Sequence, residues 1–189
     1  HMASACLLRS KNVLYVTMEM SEEKIAERID ANCLNLNIKD IGDLPQVMFK
    51  SKISDLQKKT TGKVVIKEYP TASAHAGHFR SLLNELKLKK SFIPDIIFVD
   101  YLNICASSRY KGHIVNSYTY VKAIAEELRG LAVEFDLPIV SATQTTRAGF
   151  GSSDADITDT SESFGLPATA DLMLALISNE EMEELGQIM

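Results

Sequence analysis

Residues 96–99 (Ile-Ile-Phe-Val) form an uninterrupted apolar run that ends on a single carboxylate, Asp100. A strand without polar alternation is buried on both faces, which is typical of parallel sheets covered by helices. The carboxyl edge of such a sheet is where α/β proteins bind ligands. A carboxylate at that edge suits a hard cation such as Mg²⁺, but an Asp that caps the next turn explains this run equally well.

Short apolar segments of this kind alternate along the chain with segments of helical periodicity. The alternation predicts an α/β fold with a mostly parallel sheet and helices on both faces. The predicted strands are residues 13–18, 64–68, 96–100, 138–142 and 172–177. The predicted helices are residues 21–34, about 51–60, 78–89 and 116–135, and residues 3–9 are predicted to be the last turns of another helix.

Length and cysteine content limit the class of protein. At 189 residues, the chain has the length of one domain with a substantial core. It contains no run of about 18 apolar residues, so we expect no membrane-spanning helix. The cysteines are odd in number and scattered, which argues against a disulfide framework or a zinc site and favours a reducing cytoplasm. They are Cys6, Cys33 and Cys105, of which the last two are predicted to be packed thiols.

The overall charge gives no general attraction to nucleic acid. The formal net charge at pH 7 is −5, so DNA binding would depend on local groups or on a multimer that brings basic loops together. Two polar segments, residues 107–115 and 145–167, follow predicted strands and should emerge at the ligand-binding edge. The pair His75 and His78 lacks a third ligand nearby, which is poor evidence for a metal site.

Further polar residues follow two other predicted strands. Glu19 could orient a water molecule for attack on a phosphoryl group, and Gln144 could contact a phosphate. Taken alone, a residue such as Glu19 more often merely begins the turn into the next helix, and a lone Gln such as Gln144 more often caps a loop. Arg28 could reach the same edge from the following helix, although pairing with Glu23 or Glu27 is the commoner arrangement on a helix surface.

Four short motifs follow one another along the chain, and three of them contain Glu19, Asp100 or Gln144. They are Met18-Glu19-Met20-Ser21, Val99-Asp100-Tyr101-Leu102, Ala142-Thr143-Gln144 and Ser161-Glu162-Ser163. In this order the chain resembles the DnaB-like replicative helicases, most strongly those of tailed bacteriophages related to the T-even group. The resemblance runs from about residue 3 to the C-terminus. It implies a RecA-like P-loop NTPase core and an ATP-dependent DNA helicase that translocates on single-stranded DNA and unwinds duplex DNA.

The resemblance also implies a role for each motif residue. Glu19 corresponds to the catalytic glutamate that activates water, and Arg28 to an arginine that contacts the nucleotide. Asp100 corresponds to the Walker B acid, which holds Mg²⁺ largely through water. Gln144 corresponds to the sensor of the γ-phosphate.

The family further implies surfaces for DNA and for protein partners. Residues 145–159, with Arg147, and residues 161–165 correspond to loops that face single-stranded DNA in a hexamer. The second loop consists of Ser161, Glu162, Ser163, Phe164 and Gly165. The implied cofactors are ATP and Mg²⁺, the implied partners are other copies of the chain, a primase and a helicase loader, and the implied location is the cytoplasm of a host cell.

The sequence departs from the family pattern in its phosphate-binding elements. It contains no G-x-x-x-x-G-K-[ST] loop (Walker A), and it lacks the basic strand that carries the arginine finger. We therefore expect residues 1–2 to be a cloning scar and residues 3–189 to be a partial RecA-like helicase domain, incomplete at both ends. Such a fragment should hydrolyse ATP negligibly, and an unpaired sheet edge should lower its stability or favour self-association.

Two other functions remain open at this point. A RecA-like recombinase, or another ATPase of that fold, would share the strand-end residues, although the Asp-Tyr-Leu extension and the segment at residues 161–167 favour a helicase. A non-catalytic α/β module that binds a protein partner would have no need of a phosphate-binding loop. Strand exchange by the whole protein would indicate the first alternative, and the gene sequence upstream of residue 3 would test the second.

Overall fold

The computed structural model describes residues 1–110, 116–144 and 165–176, in which strands and helices alternate. The strands are β1 Val13–Thr17, β2 Val64–Glu68, β3 Ile96–Asp100 and β4 Ile139–Ser141. The helices are α1 Met2–Leu8, α2 Glu22–Cys33, α3 Ile38–Ile41, α4 Gln46–Lys59, α5 Ala76–Lys90, α6 Ser117–Phe135 and α7 Gly165–Thr169, and a 3₁₀ turn spans Leu102–Ile104.

The four strands form one parallel sheet in the order β2-β1-β3-β4. Thr17 at the end of β1 lies beside Glu68 of β2 and beside Asp100 of β3. Val99 lies beside Ser141 of β4. The middle of β3 is buried, which confirms the interpretation of its apolar run as an internal strand of a parallel sheet.

Helices cover both faces of the sheet and form a hydrophobic core on each. On one face, side chains of β1 and β3 pack with α5 and α6; the buried members include Leu14, Val16, Ile97, Val99, Phe79, Leu83, Ile124 and Leu131. On the other face, the core is smaller and is formed with α1 and α2; its buried members are Ala3, Leu7, Val13, Ile25, Ile29 and Phe98. The side chain of Asp100 belongs to this second face, because it alternates with Phe98 along β3.

Local capping signals explain where the two helices beside the site begin. The Ser21 side chain accepts a hydrogen bond from the backbone N–H of Lys24, and acidic side chains occupy the first turn of α2. Asn116 caps α6 by accepting a hydrogen bond of 2.8 Å from the N–H of Thr119. Both arrangements satisfy N–H groups that the helix leaves unpaired. Among the described helices, none is long and apolar enough to cross a bilayer.

Two sequence predictions differ from the structure. The predicted strand at residues 172–177 is wrong over residues 172–176, where no regular structure is found. A strand needs a neighbour for its ladder hydrogen bonds, and residues 172–176 pair with no strand in the described part of the chain; Leu172, Leu174 and Leu176 are exposed instead. Helix α4 begins at Gln46, about five residues earlier than predicted.

Candidate functional site

The carboxyl ends of β1, β3 and β4 lie next to one another, because β3 separates β1 from β4 in the sheet. Asp100 ends β3, Glu19 stands two residues beyond the end of β1, and Gln144 follows β4. Neighbouring strands are about 4.8 Å apart, so these three residues stem from a strip of backbone about 10 Å wide. The structure therefore brings the three predicted site residues to one edge of the sheet.

A tight turn presents Glu19 to solvent. The Thr17 hydroxyl accepts a hydrogen bond of 3.1 Å from the N–H of Met20 and donates one of 2.9 Å to the carbonyl oxygen of the same residue. Met18 is buried within the turn, and Glu19 is exposed at its tip. The β1–β3 ladder continues into the turn, since the N–H of Met18 donates to the carbonyl oxygen of Asp100 at 3.1 Å. The backbone that carries Glu19 is thus joined directly to Asp100.

The loop between β2 and α5 holds both strand ends from the side. The Thr71 hydroxyl donates to the carbonyl oxygen of Met18 at 2.7 Å. In the same loop, the N–H of Ala72 donates to the carbonyl oxygen of Ile104 at 2.9 Å, and the carbonyl oxygen of Ala74 accepts from the N–H of Ala106 at 2.7 Å. One short segment therefore contacts the turn after β1 and the chain that follows β3.

Asp100 is held by a residue that the sequence reasoning missed. The Tyr15 hydroxyl donates a hydrogen bond of 2.9 Å to Oδ2 of Asp100. Burial raises the pKa of Tyr15 well above its ordinary value, and the Asp100 carboxylate raises it further. Alternation along β1 places Tyr15 on the same face as Thr17, the strand neighbour of Asp100. That alternation was visible in the sequence, but the register between the two strands was not.

Gln144 is connected to the segment that follows Asp100. Its Nε2 lies 3.5 Å from the hydroxyl oxygen of Tyr101, at the outer limit for a hydrogen bond. The preceding residue, Thr143, donates from its hydroxyl to Oδ1 of Asn103 at 2.8 Å. These contacts direct the chain after β4 toward the end of β3.

Arg28 lies on α2, over the face of the sheet that carries Asp100. It lines a depression of about 360 Å³ together with Tyr15, and its positive charge lowers the pKa of Tyr15 against the larger opposing effect of burial. Within the described residues, Arg28 forms no ion pair with Glu23 or Glu27, the arrangement commonest on a helix; Glu27 pairs instead with Lys24, at 2.9 Å. Arg28 thus lies over the same face of the sheet as Asp100, next to the tyrosine that contacts Asp100.

A carboxylate on α6 fixes the start of the loop after β3. Glu127 accepts hydrogen bonds from the hydroxyl of Ser107 at 2.6 Å and from the N–H and hydroxyl of Ser108 at 3.0 and 2.8 Å. Partial burial raises the pKa of Glu127, but the hydrogen bonds from Ser107, Ser108 and the N–H of Arg109 outweigh it and lower the pKa below its ordinary value. The Arg109 side chain also pairs with Glu126. The Glu127 carboxylate therefore holds the first residues of this polar loop in place.

Most of the residues predicted to face DNA lie outside the described part of the chain. These are Arg147, Ser161, Glu162, Ser163 and Phe164. Gly165 is described and begins α7.

Helix α7 is anchored on α6. Leu166 is buried in the core that α6 forms with the sheet. Arg129 donates from Nη1 to the carbonyl oxygen of Thr169 at 2.6 Å and from Nη2 to Oδ1 of Asp171 at 2.8 Å. These contacts fix the position at which the segment of residues 145–164 rejoins the described fold.

The remaining candidates from the sequence have structural roles. His75 accepts a hydrogen bond at Nδ1 from the N–H of Gly77 at 3.0 Å, and Nδ1 of His78 accepts from the N–H of His75 at 3.2 Å, so the pair caps α5. Cys105 is buried, as predicted, and burial raises its pKa to about 12. Cys33 is half-buried, and burial raises its pKa as well. A high pKa keeps a thiol protonated and unreactive at neutral pH.

Comparison with known proteins identifies the family of this chain. The model of the DnaB-like helicase C-terminal domain matches residues 1–187. The chain therefore belongs to the DnaB-like helicase C-terminal domain family, which confirms the resemblance seen in the four motifs.

Individual relatives and solved structures agree with this family. The chain is 51% identical to the DnaB-like replicative helicase of Enterobacteria phage T4. The alignment is 189 residues long and covers 98% of this chain and 40% of that protein. It is 29% identical over 143 residues to a probable plasmid replicative DNA helicase of Chlamydia trachomatis, covering 74% of this chain and 30% of that protein. The chain thus spans less than half the length of these relatives.

Two solved structures share the fold at low sequence identity. A DnaB-like replicative helicase, whose interactions with primase were also determined, superposes with a TM-score of 0.75 at 18% identity and covers 96% of this chain and 44% of that one. A second structure, of an ATPase domain, superposes with the same TM-score at 17% identity, over 96% of this chain and 64% of that one. These matches confirm the predicted α/β, RecA-like ATPase fold.

Proposed function

We propose that this chain is part of the motor of an ATP-dependent replicative DNA helicase, which translocates on single-stranded DNA and unwinds duplex DNA. The observation that carries the proposal is the convergence of Glu19, Asp100 and Gln144 at one edge of the sheet. Membership of the DnaB-like helicase family supports the same activity. The chain covers 40% of its T4 relative, so the activity is assigned to the whole protein that carries it.

The edge supplies part of the donor set that a Mg²⁺-bound nucleotide requires. Asp100 offers an oriented carboxylate: Tyr15 bonds one oxygen, and the other, which has no hydrogen-bond partner among the described residues, could accept from a metal-bound water. When bound, Mg²⁺ and the triphosphate supply the phosphoryl group and neutralise the charge that develops on it. We assign Asp100 to holding the metal through water.

The other three residues act on the water and on the phosphate charge. Glu19 accepts a proton from the attacking water, for which its exposed position at the tip of the turn is suited. The Gln144 amide donates to the terminal phosphate. Arg28, on the same face of the sheet as Asp100, adds positive charge close to the phosphates.

The contacts with DNA and with other proteins belong to the proposal as well. We assign single-stranded DNA to Arg147 and to Ser161, Glu162, Ser163, Phe164 and Gly165, as the family resemblance implies. We propose that the whole protein forms a homo-hexamer with ATP sites between its subunits, and that it works with a primase and a helicase loader in the cytoplasm of a host cell. Residues 3–189 would then be part of the RecA-like motor domain, with residues 1–2 as a cloning scar.

The test is ATP-dependent unwinding of a forked DNA duplex by the full-length protein that carries this chain. We expect unwinding and DNA-stimulated ATP hydrolysis, and we expect both to be lost in Asp100→Asn. Asp55→Asn is the matched control, because Asp55 is an exposed acid on α4 that pairs only with Lys58 among the described residues. The 189-residue chain alone has no phosphate-binding loop and should hydrolyse ATP negligibly.

Three results would contradict this function. DNA strand exchange without unwinding would identify a recombinase of the same fold. Absence of ATP hydrolysis in the full-length protein would favour a module that binds a protein partner. Hydrolysis unaffected by Asp100→Asn would show that the carboxyl edge of β3 is not the site.

A further inference from the structure

Tyr15 is the described residue that hydrogen-bonds to the Asp100 side chain, and its ring is fixed by its surroundings. Tyr15 lies beside Phe98 in the β1–β3 register, and the two rings stack with centroids 6.0 Å apart and planes 18° from parallel. Phe98 precedes Asp100 by two residues, so the phenol reaches diagonally across the strand pair to the carboxylate. The contact of 2.9 Å therefore arises from the register of β1 and β3.

The chemistry of this contact has one direction. The phenol donates the hydrogen bond and Oδ2 of Asp100 accepts it. A donor fixed to one carboxylate oxygen sets the orientation of the other, and such indirect contacts strengthen metal binding in proteins.

We propose that Tyr15 is a positioning residue for Asp100: its hydroxyl orients the carboxylate and so sets the affinity of the site for Mg²⁺-bound nucleotide. This role rests on the proposed function, since it requires that Asp100 act on the metal. The hydroxyl is separable from the ring, because Tyr15→Phe keeps the stack with Phe98 and removes only the hydrogen bond.

The test measures binding of the fluorescent nucleotide mant-ADP to the full-length protein, with Mg²⁺ and with EDTA. We expect Tyr15→Phe to weaken Mg²⁺-dependent binding about tenfold, at the lower end of the range for residues that orient metal ligands. Binding in EDTA should be unchanged. In an Asp100→Asn background, Tyr15→Phe should have no further effect on the Mg²⁺ dependence, because the carboxylate that the hydroxyl orients toward the metal has been removed.

Tyr69→Phe is the matched control. Tyr69 is a half-buried tyrosine beyond the end of β2, and its ring packs against Phe79 and His78. Its substitution should leave the Mg²⁺ dependence unchanged. Melting temperatures of both variants separate a loss of stability from a change in metal binding.

Each outcome decides the proposal. Equal weakening with Mg²⁺ and with EDTA would assign Tyr15 to packing alone and overturn the positioning role. An unchanged affinity would overturn it too, while the helicase function would stand if Asp100→Asn still abolishes hydrolysis. A wild-type protein whose nucleotide binding ignores Mg²⁺ would overturn the positioning role and the proposed site together.

Discussion

The polar groups at the amino edge of the sheet, where the strands begin, and at the carboxyl edge, where they end, differ in their hydrogen bonding. At the amino edge, Asn12 is fully engaged: its N–H donates to Oδ2 of Asp95 at 2.7 Å, its carbonyl oxygen accepts from the N–H of Asp95 at 2.8 Å, and its amide contacts the backbone of Ile93 and Lys63. At the carboxyl edge, the Glu19 carboxylate has no hydrogen-bond partner among the described residues. The amino edge uses its polar atoms to join strands, whereas the carboxyl edge leaves the Glu19 carboxylate without such a bond.

This difference explains why the same residue types carry different functions in one molecule. Asp95 and Asp100 both flank β3, at its two ends. The N–H and the carboxylate of Asp95 both bond to the backbone of Asn12, and the carboxylate also pairs with Lys11 at 3.6 Å. Asp100 is oriented by one phenol and retains an oxygen for another partner. Under the proposed function, substitution of Glu19 or Asp100 should therefore affect catalysis, and substitutions at the amino edge should affect stability.

The largest effect is expected for Glu19→Gln in the full-length protein. We expect ATP hydrolysis to fall by about 10²- to 10⁴-fold, the contribution of a general base. The melting temperature should stay within about 2 °C of wild type, since exposed surface positions contribute little to stability. Steady-state ATPase assays and thermal melts measure the two quantities.

The control for this prediction is Glu23→Gln, an exposed acid in the first turn of α2. It should leave hydrolysis within about twofold of wild type, because Glu23 lies on α2 and not in the turn after β1. If both variants were equally impaired, the acidic character of the segment would matter rather than the position of Glu19.

A smaller effect, on stability rather than on ATP hydrolysis, is expected for Gly62→Ala near the amino edge. A Cβ at Gly62 would lie 2.7 Å from the carbonyl oxygens of Leu7 and Lys11. The backbone would have to shift, so we expect the free energy of unfolding to fall by about 1–3 kcal/mol. Urea denaturation measures this loss, and the affinity of the folded protein for nucleotide should be unchanged.

Gly130→Ala is the matched control, because it adds a Cβ at a glycine that has no close neighbours. Gly130 lies within α6, and a Cβ there would meet nothing within 4 Å. Alanine has a higher helix propensity than glycine, so this variant should be neutral or more stable by up to about 1 kcal/mol. A loss of stability similar to that of Gly62→Ala would contradict the explanation by close approach.

The smallest effect is expected for Glu127→Gln, which removes a carboxylate whose oxygens already accept hydrogen bonds from the loop after β3. Hydrogen bonds hold the pKa of Glu127 below its ordinary value in the folded state despite partial burial. Its contribution to stability is therefore present above the unfolded pKa of about 4.5 and is lost as the pH falls through the folded pKa. Because the carboxylate is partly exposed, we expect the variant to lose only about 0.5–1 kcal/mol at pH 7.

The pH dependence is the specific readout for Glu127. The stability curves of wild type and Glu127→Gln, measured by urea denaturation, should converge as the pH falls below about 4. A constant difference across this range would show that the amide loses packing rather than charge.

The sequence was sufficient to predict a mostly parallel sheet and the edge at which Glu19, Asp100 and Gln144 come together. The strands at residues 64–68 and 96–100 have the predicted bounds, because their ends are set by local changes from apolar to polar residues. The strand expected at residues 172–177 was wrong over the described residues, since an apolar pattern does not reveal whether a partner strand is present.

The Tyr15–Asp100 contact could not be predicted because it depends on pairing between two strands, and the two residues are 85 positions apart in the chain. Helical spacing made Glu23 and Glu27 the ordinary partners of Arg28, but Lys24 pairs with Glu27 instead. Gly62 lies between the end of α4 at Lys59 and the start of β2, and glycine is needed there because the backbone of Leu7 and Lys11 passes close by. For the tyrosine and the glycine, the missing information is a long-range contact.

The loop between β2 and α5 has a mechanical consequence. Its Thr71 hydroxyl is bonded to the residue before Glu19, and its Ala72 and Ala74 are bonded to the chain just beyond Asp100. A displacement of this loop would carry both acids together and preserve the distance between them. Gln144 joins this linkage only through the Thr143–Asn103 hydrogen bond, the backbone bond from Leu102 to Ala142 and its own contact of 3.5 Å with Tyr101. The amide is therefore held to the two acids less directly than the acids are held to each other.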